Sequence, residues 1–177
     1  MTERDLDRSA SRFVEQWVPR LRHRLGDRSC ALDLACGAGR HARLLAMAGF
    51  ETFAVDVSET RVSRIRSHAT TSRPIHAWVA DLERIELPVE RFHLVLGTNY
   101  LQRSLWPSMK RAVTLGGFLV YETFTVAQLA RGVGPRSIDH LLQPGELRDV
   151  VPGWAIEWYQ EVDAPVATAQ LVARKPA

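Results

Sequence analysis

Five short apolar runs, separated by stretches of helical periodicity, constrain this chain more than any other feature of it. The runs are Cys30–Ala35, Thr52–Val57, Ile75–Ala80, Phe92–Thr98 and Gly117–Thr123. Between them, Leu44, Leu45 and Ala48, and then Val62 and Ile65, fall at helical spacings. Near-continuous apolar strands that alternate with helices predict a parallel sheet buried on both faces. Two further runs, Trp154–Val162 and Val166–Ala173, are parted only by Asp163, Ala164 and Pro165, which predicts an antiparallel hairpin closing one edge. The expected fold is therefore α/β: five βα units followed by a β-hairpin.

The 177 residues, 46% apolar and 24% charged, suit one domain with one sizeable core. No linker or repeat marks a boundary, so residues 1–177 are read as a single domain: a helical lid segment over 1–29 and an α/β core over 30–177. The opening residues lack the apolar core of a signal peptide, and no apolar run nears the roughly 20 residues that span a bilayer. The expectation is a soluble, cytoplasmic protein without a membrane partner. Cys30 and Cys36 would lie roughly 20 Å apart along one extended strand, too far for a disulfide. Two thiols are also too few for a structural zinc site, so no metal is expected.

In the N-terminal segment Leu6, Ala10, Phe13, Trp17 and Leu21 recur at three or four residues, the spacing of an amphipathic helix. Thr2 is placed to cap it and Pro19 to kink or divide it. Arg4, Arg8 and Arg12 form a basic stripe read as a solvated face. Trp17 has two readings: core packing, or part of a lid over a ligand.

Residues 31–42 carry the chemistry. A strand enters a turn containing Gly37 and Gly39 and leaves it as a helix, so backbone amides at the helix start can face electronegative groups of a ligand. Alone, Gly37-Ala38-Gly39-Arg40-His41-Ala42 fits the dinucleotide pattern G-x-G-x-x-G/A, so a nicotinamide-dependent oxidoreductase is an alternative. Two features favour a cationic sulfonium ligand. Asp33, inside the strand before the loop, would face a cation and repel a pyrophosphate. Polar residues also recur where successive strands end: Asp56, Asp81, Thr98 with Asn99, and Glu122 with Thr123. Open α/β sheets bind ligands along that edge.

From about Cys30 onwards the chain resembles the class I methyltransferases, whose sheet is Rossmann-like and seven-stranded. Asp33-Leu34-Ala35-Cys36-Gly37-Ala38-Gly39 resembles their first motif, with Ala35 where glycine is commoner. Val55-Asp56-Val57-Ser58 resembles the second, Ala80-Asp81-Leu82 the third, and Gly116-Gly117 the motif before the fifth strand. More closely, the chain is similar to small bacterial methyltransferases of the tellurite-resistance type. That likeness rests on Gly39-Arg40-His41-Ala42, Asn99-Tyr100-Leu101-Gln102-Arg103, Tyr121-Glu122-Thr123-Phe124-Thr125 and Leu141-Leu142-Gln143-Pro144-Gly145-Glu146-Leu147.

The resemblance implies S-adenosylmethionine as methyl donor. The expected donor contacts are Asp33, Ala35, Cys36, Gly37 and Gly39 in the first loop, with Arg40 toward the donor's carboxylate. Asp56 and Val57 follow, Asp56 on the ribose hydroxyls, then Asp81 and the Leu82 amide on the adenine, and Asn99. Asn99 and Tyr100 are expected to flank the methyl group. Arg103 is read either as a contact to an anionic acceptor or as a surface ion pair. His23 and His140 lie in segments that could fold over the mouth. Val126–Gln143, with Arg131, Arg136 and glycines at 132 and 134, is expected to be a mobile loop there.

The fourth strand's end lacks the paired prolines common among methyltransferases of exocyclic or amide nitrogens, so no nucleic-acid partner is expected. With no appended domain, the expected acceptor is a small molecule, of soft or anionic character. A non-catalytic module that binds S-adenosylmethionine is the other alternative.

Overall fold

The structure, a computed structural model, describes residues 9–68 and 74–177. Thr2, Arg4, Leu6 and Arg8 lie outside the described residues. The elements in chain order are α1 (Arg12–Leu25), β1 (Cys30–Leu34), α2 (Arg40–Met47), β2 (Glu51–Asp56), α3 (Glu59–His68), β3 (Ile75–Val79) and β4 (Phe92–Thr98). There follow α4 (Trp106–Ala112), β5 (Val113–Phe124), α5 (Glu146–Asp149), β6 (Ala155–Val162) and β7 (Thr168–Arg174). Single 3-10 turns at Arg103–Leu105, Val126–Arg131 and Ile138–His140 punctuate the segments on either side of β5.

The seven strands form one sheet in the order β3-β2-β1-β4-β5-β7-β6. β1 to β5 are parallel, while β7 runs antiparallel to both β5 and β6. The order reverses between β1 and β4, so their carboxyl ends diverge into a crevice.

Strand alternation divides the core between the two faces. Leu32, Leu34, Val95, Leu119, Tyr121 and Leu171 pack on one side with Leu105, Trp106 and Met109 of the α4 region. Ala31, Leu94, Leu96, Phe118, Val120 and Val172 pack on the other with Phe13, Val14, Val18 and Leu21 of α1. These four α1 side chains are almost fully buried, so the described part of the N-terminal segment is a packing element. Trp17 lies beside Trp158 of β6, ring centroids 6.2 Å apart. It joins α1 to the edge hairpin and packs against the cluster of Phe13, Val14, Val18 and Leu21.

Two expectations are corrected in detail. α1 runs unbroken through Pro19. Pro19 and Glu15, whose carbonyl the proline leaves without its helical donor, are both exposed, so water can satisfy that carbonyl. β5 begins at Val113, four residues before the expected Gly117. The register jumps from Phe92↔Val113 to Leu94↔Phe118, and Gly116 sits at φ 71° within the irregularity. Among the described residues no helix is long and apolar enough to cross a membrane. Both cysteines are free and buried.

Candidate active site

The first loop is shaped by three left-handed residues, Ala35 (φ 48°), Gly37 (φ 57°) and Gly39 (φ 78°). At Gly39 a side chain is excluded twice over: by that backbone conformation, and because a Cβ would stand 2.6 Å from Ile65 of α3. At Gly37 a Cβ would meet nothing within 4 Å, so the loop fronts open space where a ligand can approach the backbone. The Cys36 amide donates to the Val55 carbonyl at 2.9 Å and the Gly39 amide to the Cys36 carbonyl at 2.9 Å. The turn is thereby tied to β2.

Asp33 is fully buried at the root of this loop. Burial pushes its carboxyl up to about 7, against the opposing pull of the Ala42 amide and the Arg40 guanidinium. Neither oxygen makes a hydrogen bond of ordinary geometry. A buried carboxylate without partners is costly, and a cation at the loop would relieve it. Cys36 lies near both Asp33 and Asp56; burial and those two carboxylates push its thiol pKa up, so it stays protonated and inert.

Asp56, at the end of β2, is 4% exposed. One oxygen accepts from the Gly37 amide at 2.8 Å and the other from the Ser58 amide at 2.9 Å. It thus binds the first loop to the start of α3, while Val57 beside it is 69% exposed. Asp81, after β3, accepts from the Glu83 amide at 3.0 Å and pairs with Arg84 at 3.2 Å. Leu82 is buried against the core. Asn99 turns the chain out of β4 with φ 54°, and its amide donates to the Glu122 carbonyl at 2.9 Å. The Tyr121 hydroxyl donates to the Tyr100 carbonyl at 2.8 Å from beneath. Burial, then the carboxylates of Glu83, Asp81 and Asp56, push the Tyr100 phenol up to about 12. Three carboxylates, those of Asp56, Asp81 and Glu83, thus act on this part of the sheet edge.

Next to it lies a cleft of about 420 Å³ lined by Glu83, Asn99, Tyr100, Leu101, Gln102, Phe124, Gly134, Pro135 and His140. Sequence reasoning had singled out Asn99, Tyr100 and His140. Gln102 and Phe124 fell inside motifs of the resemblance without a role of their own, and Glu83 carried no local signal; their convergence depends on the path of residues 126–146. That path is pinned where a mobile loop was expected. Gln128, 1% exposed, donates to the Val133 carbonyl at 2.9 Å and accepts from the Ala167 amide at 2.8 Å.

Arg103 pins it a second time. Its guanidinium donates to both oxygens of Glu146 at 2.6 and 2.9 Å, and to the carbonyls of Asp139 at 2.8 Å and Leu141 at 3.0 Å. With its fork engaged in this way, Arg103 is a structural clamp and not a free anion contact. Arg131 and Arg136 are exposed outside the cleft lining.

His41, expected only in the first turn of its helix, bridges two elements. Nε2 accepts from the Ser11 amide at 3.0 Å, and Nδ1 meets the Thr98 hydroxyl at 3.0 Å. Burial, helped by Arg40, lowers its pKa to about 3, so it is a neutral strut between the N-terminal segment and the end of β4.

The strand order, the glycine loop and the acidic residues at successive strand ends are the features of one class of protein. Residues 31–116, from β1 into β5, match the family model described as a methyltransferase domain. Solved structures agree over most of the chain. An S-adenosylmethionine-dependent methyltransferase from Mesorhizobium loti superposes with a TM-score of 0.70 at 22% identity, covering 91% of this chain and 98% of that one. The N-methyltransferase NodS from Bradyrhizobium japonicum gives 0.71 at 18% identity over 92% and 94%. TehB from Haemophilus influenzae gives 0.68 at 20% identity over 86% of this chain and 59% of that one. No curated protein matches the sequence. Over residues 31–116 the chain matches a methyltransferase domain, and its fold is that of solved S-adenosylmethionine-dependent methyltransferases.

Proposed function

We propose that this protein transfers a methyl group from S-adenosylmethionine to a small, neutral, partly apolar acceptor held in the cleft beside Tyr100. One observation carries the donor half: Asp33, buried and without a hydrogen bond of ordinary geometry, stands behind a glycine loop that opens onto free space. A cationic ligand seated on that loop stabilises the carboxylate, which no neutral or anionic ligand would do. Asp56 would hold the ribose hydroxyls, Asp81 and the Leu82 amide the adenine, and Arg40 the donor's carboxylate. Val57, left in the open beside Asp56, would gain burial under a flat base.

When bound, the donor supplies a methyl carbon already activated for displacement. The chain's task is then to align the acceptor and exclude water. Asn99 and Tyr100, fixed by the β4 turn and the Tyr121 hydroxyl, would flank the methyl group. Leu101, Phe124 and Pro135 would cover the acceptor's apolar body. An anionic acceptor loses its support, since Arg103 is engaged and Arg131 and Arg136 stand apart from the lining.

Calorimetry with S-adenosylmethionine, S-adenosylhomocysteine and NAD tests the donor half. Binding of the first two and not the third is expected; the reverse pattern refutes it. A panel of thiols, phenols, alcohols, amines, carboxylates, selenite and tellurite, scored by S-adenosylhomocysteine release, tests the acceptor half. Turnover confined to the anions would reject the neutral class.

A further inference from the structure

The cleft holds three titratable side chains: Glu83, Tyr100 and His140. Tyr100 stays protonated in its acidic surroundings and can donate but not accept a proton at neutral pH. Glu83 lies on the donor side, two residues beyond Asp81. His140 enters the lining from the turn Ile138–His140, and among the described residues its imidazole has no hydrogen-bond partner.

Its backbone is held firmly for an exposed turn. Arg103 grips the carbonyls on either side of it, those of Asp139 and Leu141, and is itself fixed by both oxygens of Glu146. The His140 amide donates to the Ser137 carbonyl at 3.1 Å and the Leu141 amide to the Ile138 carbonyl at 3.1 Å. Thr125 and Leu142 join the turn's far end to β5. A lone surface ion pair needs none of this. Two charge-assisted hydrogen bonds to the flanking carbonyls, from a guanidinium itself locked by two more to Glu146, hold the backbone that carries the imidazole.

We propose that His140 is the proton acceptor for a neutral acceptor molecule carrying an O–H or S–H group, and that Arg103 and Glu146 are the residues that position it. This rests on the methyltransferase reading above. In the step, the acceptor's X–H bond breaks and leaves its electron pair on X, which bonds to the methyl carbon. The pair of the broken carbon–sulfur bond stays on the departing sulfur, and the proton passes to the imidazole and from there to water. Removing the proton as the bond forms spares the acceptor from becoming a free anion in a cleft with no arginine in its lining. The titratable and charged groups around His140 are Asp139 on its own turn, Arg103 and Glu146 behind the backbone, and Glu83 and Tyr100 in the same cleft lining.

Phenol and a series of thiophenols of graded acidity serve as probes, with the wild type, His140→Gln, Arg103→Lys and Glu83→Gln compared. For weakly acidic probes His140→Gln should lower kcat by about 10²- to 10⁴-fold and abolish the acidic limb of the pH profile. Thiophenols already ionised at the assay pH should keep near-wild-type rates. The donor's Kd should stay within about twofold of wild type by calorimetry, as His140 lies outside the proposed donor contacts. Arg103→Lys, which cannot bridge two carbonyls and a carboxylate with one planar fork, should lower kcat and leave donor affinity unchanged. Urea unfolding confirms that each variant is folded.

A readout independent of turnover is the imidazole signal of His140 in nitrogen-15 spectra of the donor-free protein. It should shift on adding phenol or thiophenol, and shift less in Arg103→Lys. Wild-type protein that binds no S-adenosylmethionine overturns the methyltransferase reading itself. Normal donor binding overturns the His140 assignment alone if the variant keeps the acidic limb, if Glu83→Gln removes it instead, or if neither probe moves the imidazole signal or is methylated.

Discussion

Substituting Gly97 tests how the β4 end is built. Gly97 sits in β4 directly under the ring of Tyr121, and an added Cβ would stand 2.2 Å from Cε2, 2.7 Å from Cδ2 and 2.9 Å from Cζ. Ordinary carbon contacts are about 3.5–4.0 Å, so the ring must retreat by more than about 1 Å. It has little room: Tyr121 is 2% exposed and stands against Trp106, centroids 6.1 Å apart. Overpacking of this kind costs about 1–3 kcal/mol. A retreating ring also pulls its hydroxyl off the Tyr100 carbonyl, and leaving such a group unsatisfied costs about 1–3 kcal/mol more. Gly97→Ala should therefore lose about 2–6 kcal/mol in urea unfolding. At 3 kcal/mol that is a fall in Tm of about 6–12 °C for a chain this long. The double variant with Tyr121→Leu should be destabilised by at least about 1 kcal/mol less than the sum of the singles, because with no ring at 121 the clash does not arise and the Tyr121 hydrogen bond is lost once and not twice. Gly97→Ala within about 0.5 kcal/mol of wild type, or strict additivity with Tyr121→Leu, refutes the packing argument.

Two further substitutions probe the donor side. Asp56→Ala removes charge-assisted hydrogen bonds worth about 1.5–3 kcal/mol, which lowers S-adenosylmethionine affinity about 10- to 150-fold by calorimetry; unchanged affinity would reject the ribose role. Asp33 has its folded pKa raised from 3.8 to about 7, chiefly by burial, so the folded state binds the proton more tightly than the unfolded state. Its contribution to stability is then complete below the unfolded value and declines as pH rises from about 4 to 7. Asp33→Asn should flatten that decline between pH 4.5 and 7.5, and identical pH profiles for the two proteins would contradict the buried-carboxyl account.

The fold was legible because its strands are buried on both faces, which makes each one a short uninterrupted apolar run. β1, β2, β3 and β4 fall within one residue of the runs that announced them. β5 starts early because Val113–Gly116 pairs through an irregularity that breaks the run before Gly117. The residues proposed to hold the donor, Asp33, Asp56 and Asp81, could be singled out because each stands alone at or near a strand's end. The acceptor side could not be read in this way. Residues 126–146 have no periodicity, and their path is set by contacts distant in sequence: Arg103 with Glu146, and Gln128 with Ala167. Read locally, Arg103 looks like a free cation at the start of a helix. Only its partners 36 to 43 residues away show that its charge is already engaged. His41 was hidden similarly, since its partners Ser11 and Thr98 lie 30 residues before it and 57 after it.

The reversal of strand order between β1 and β4 also divides the labour of the molecule along its sequence. Everything proposed to grip the donor, apart from Asn99, lies in one unbroken stretch from Asp33 to Leu82. Everything proposed to select the acceptor lies beyond β4, apart from Glu83 at the boundary. A chain wired in this way can be retargeted one half at a time. Changes among residues 100–146 can reshape the acceptor wall while the donor's seat, on strands across the central divide, keeps its shape and charge. Inheritance of one half with free variation in the other lets a single scaffold supply many methylation reactions, and the same partition makes residues 126–146 the segment to exchange when a new acceptor is wanted.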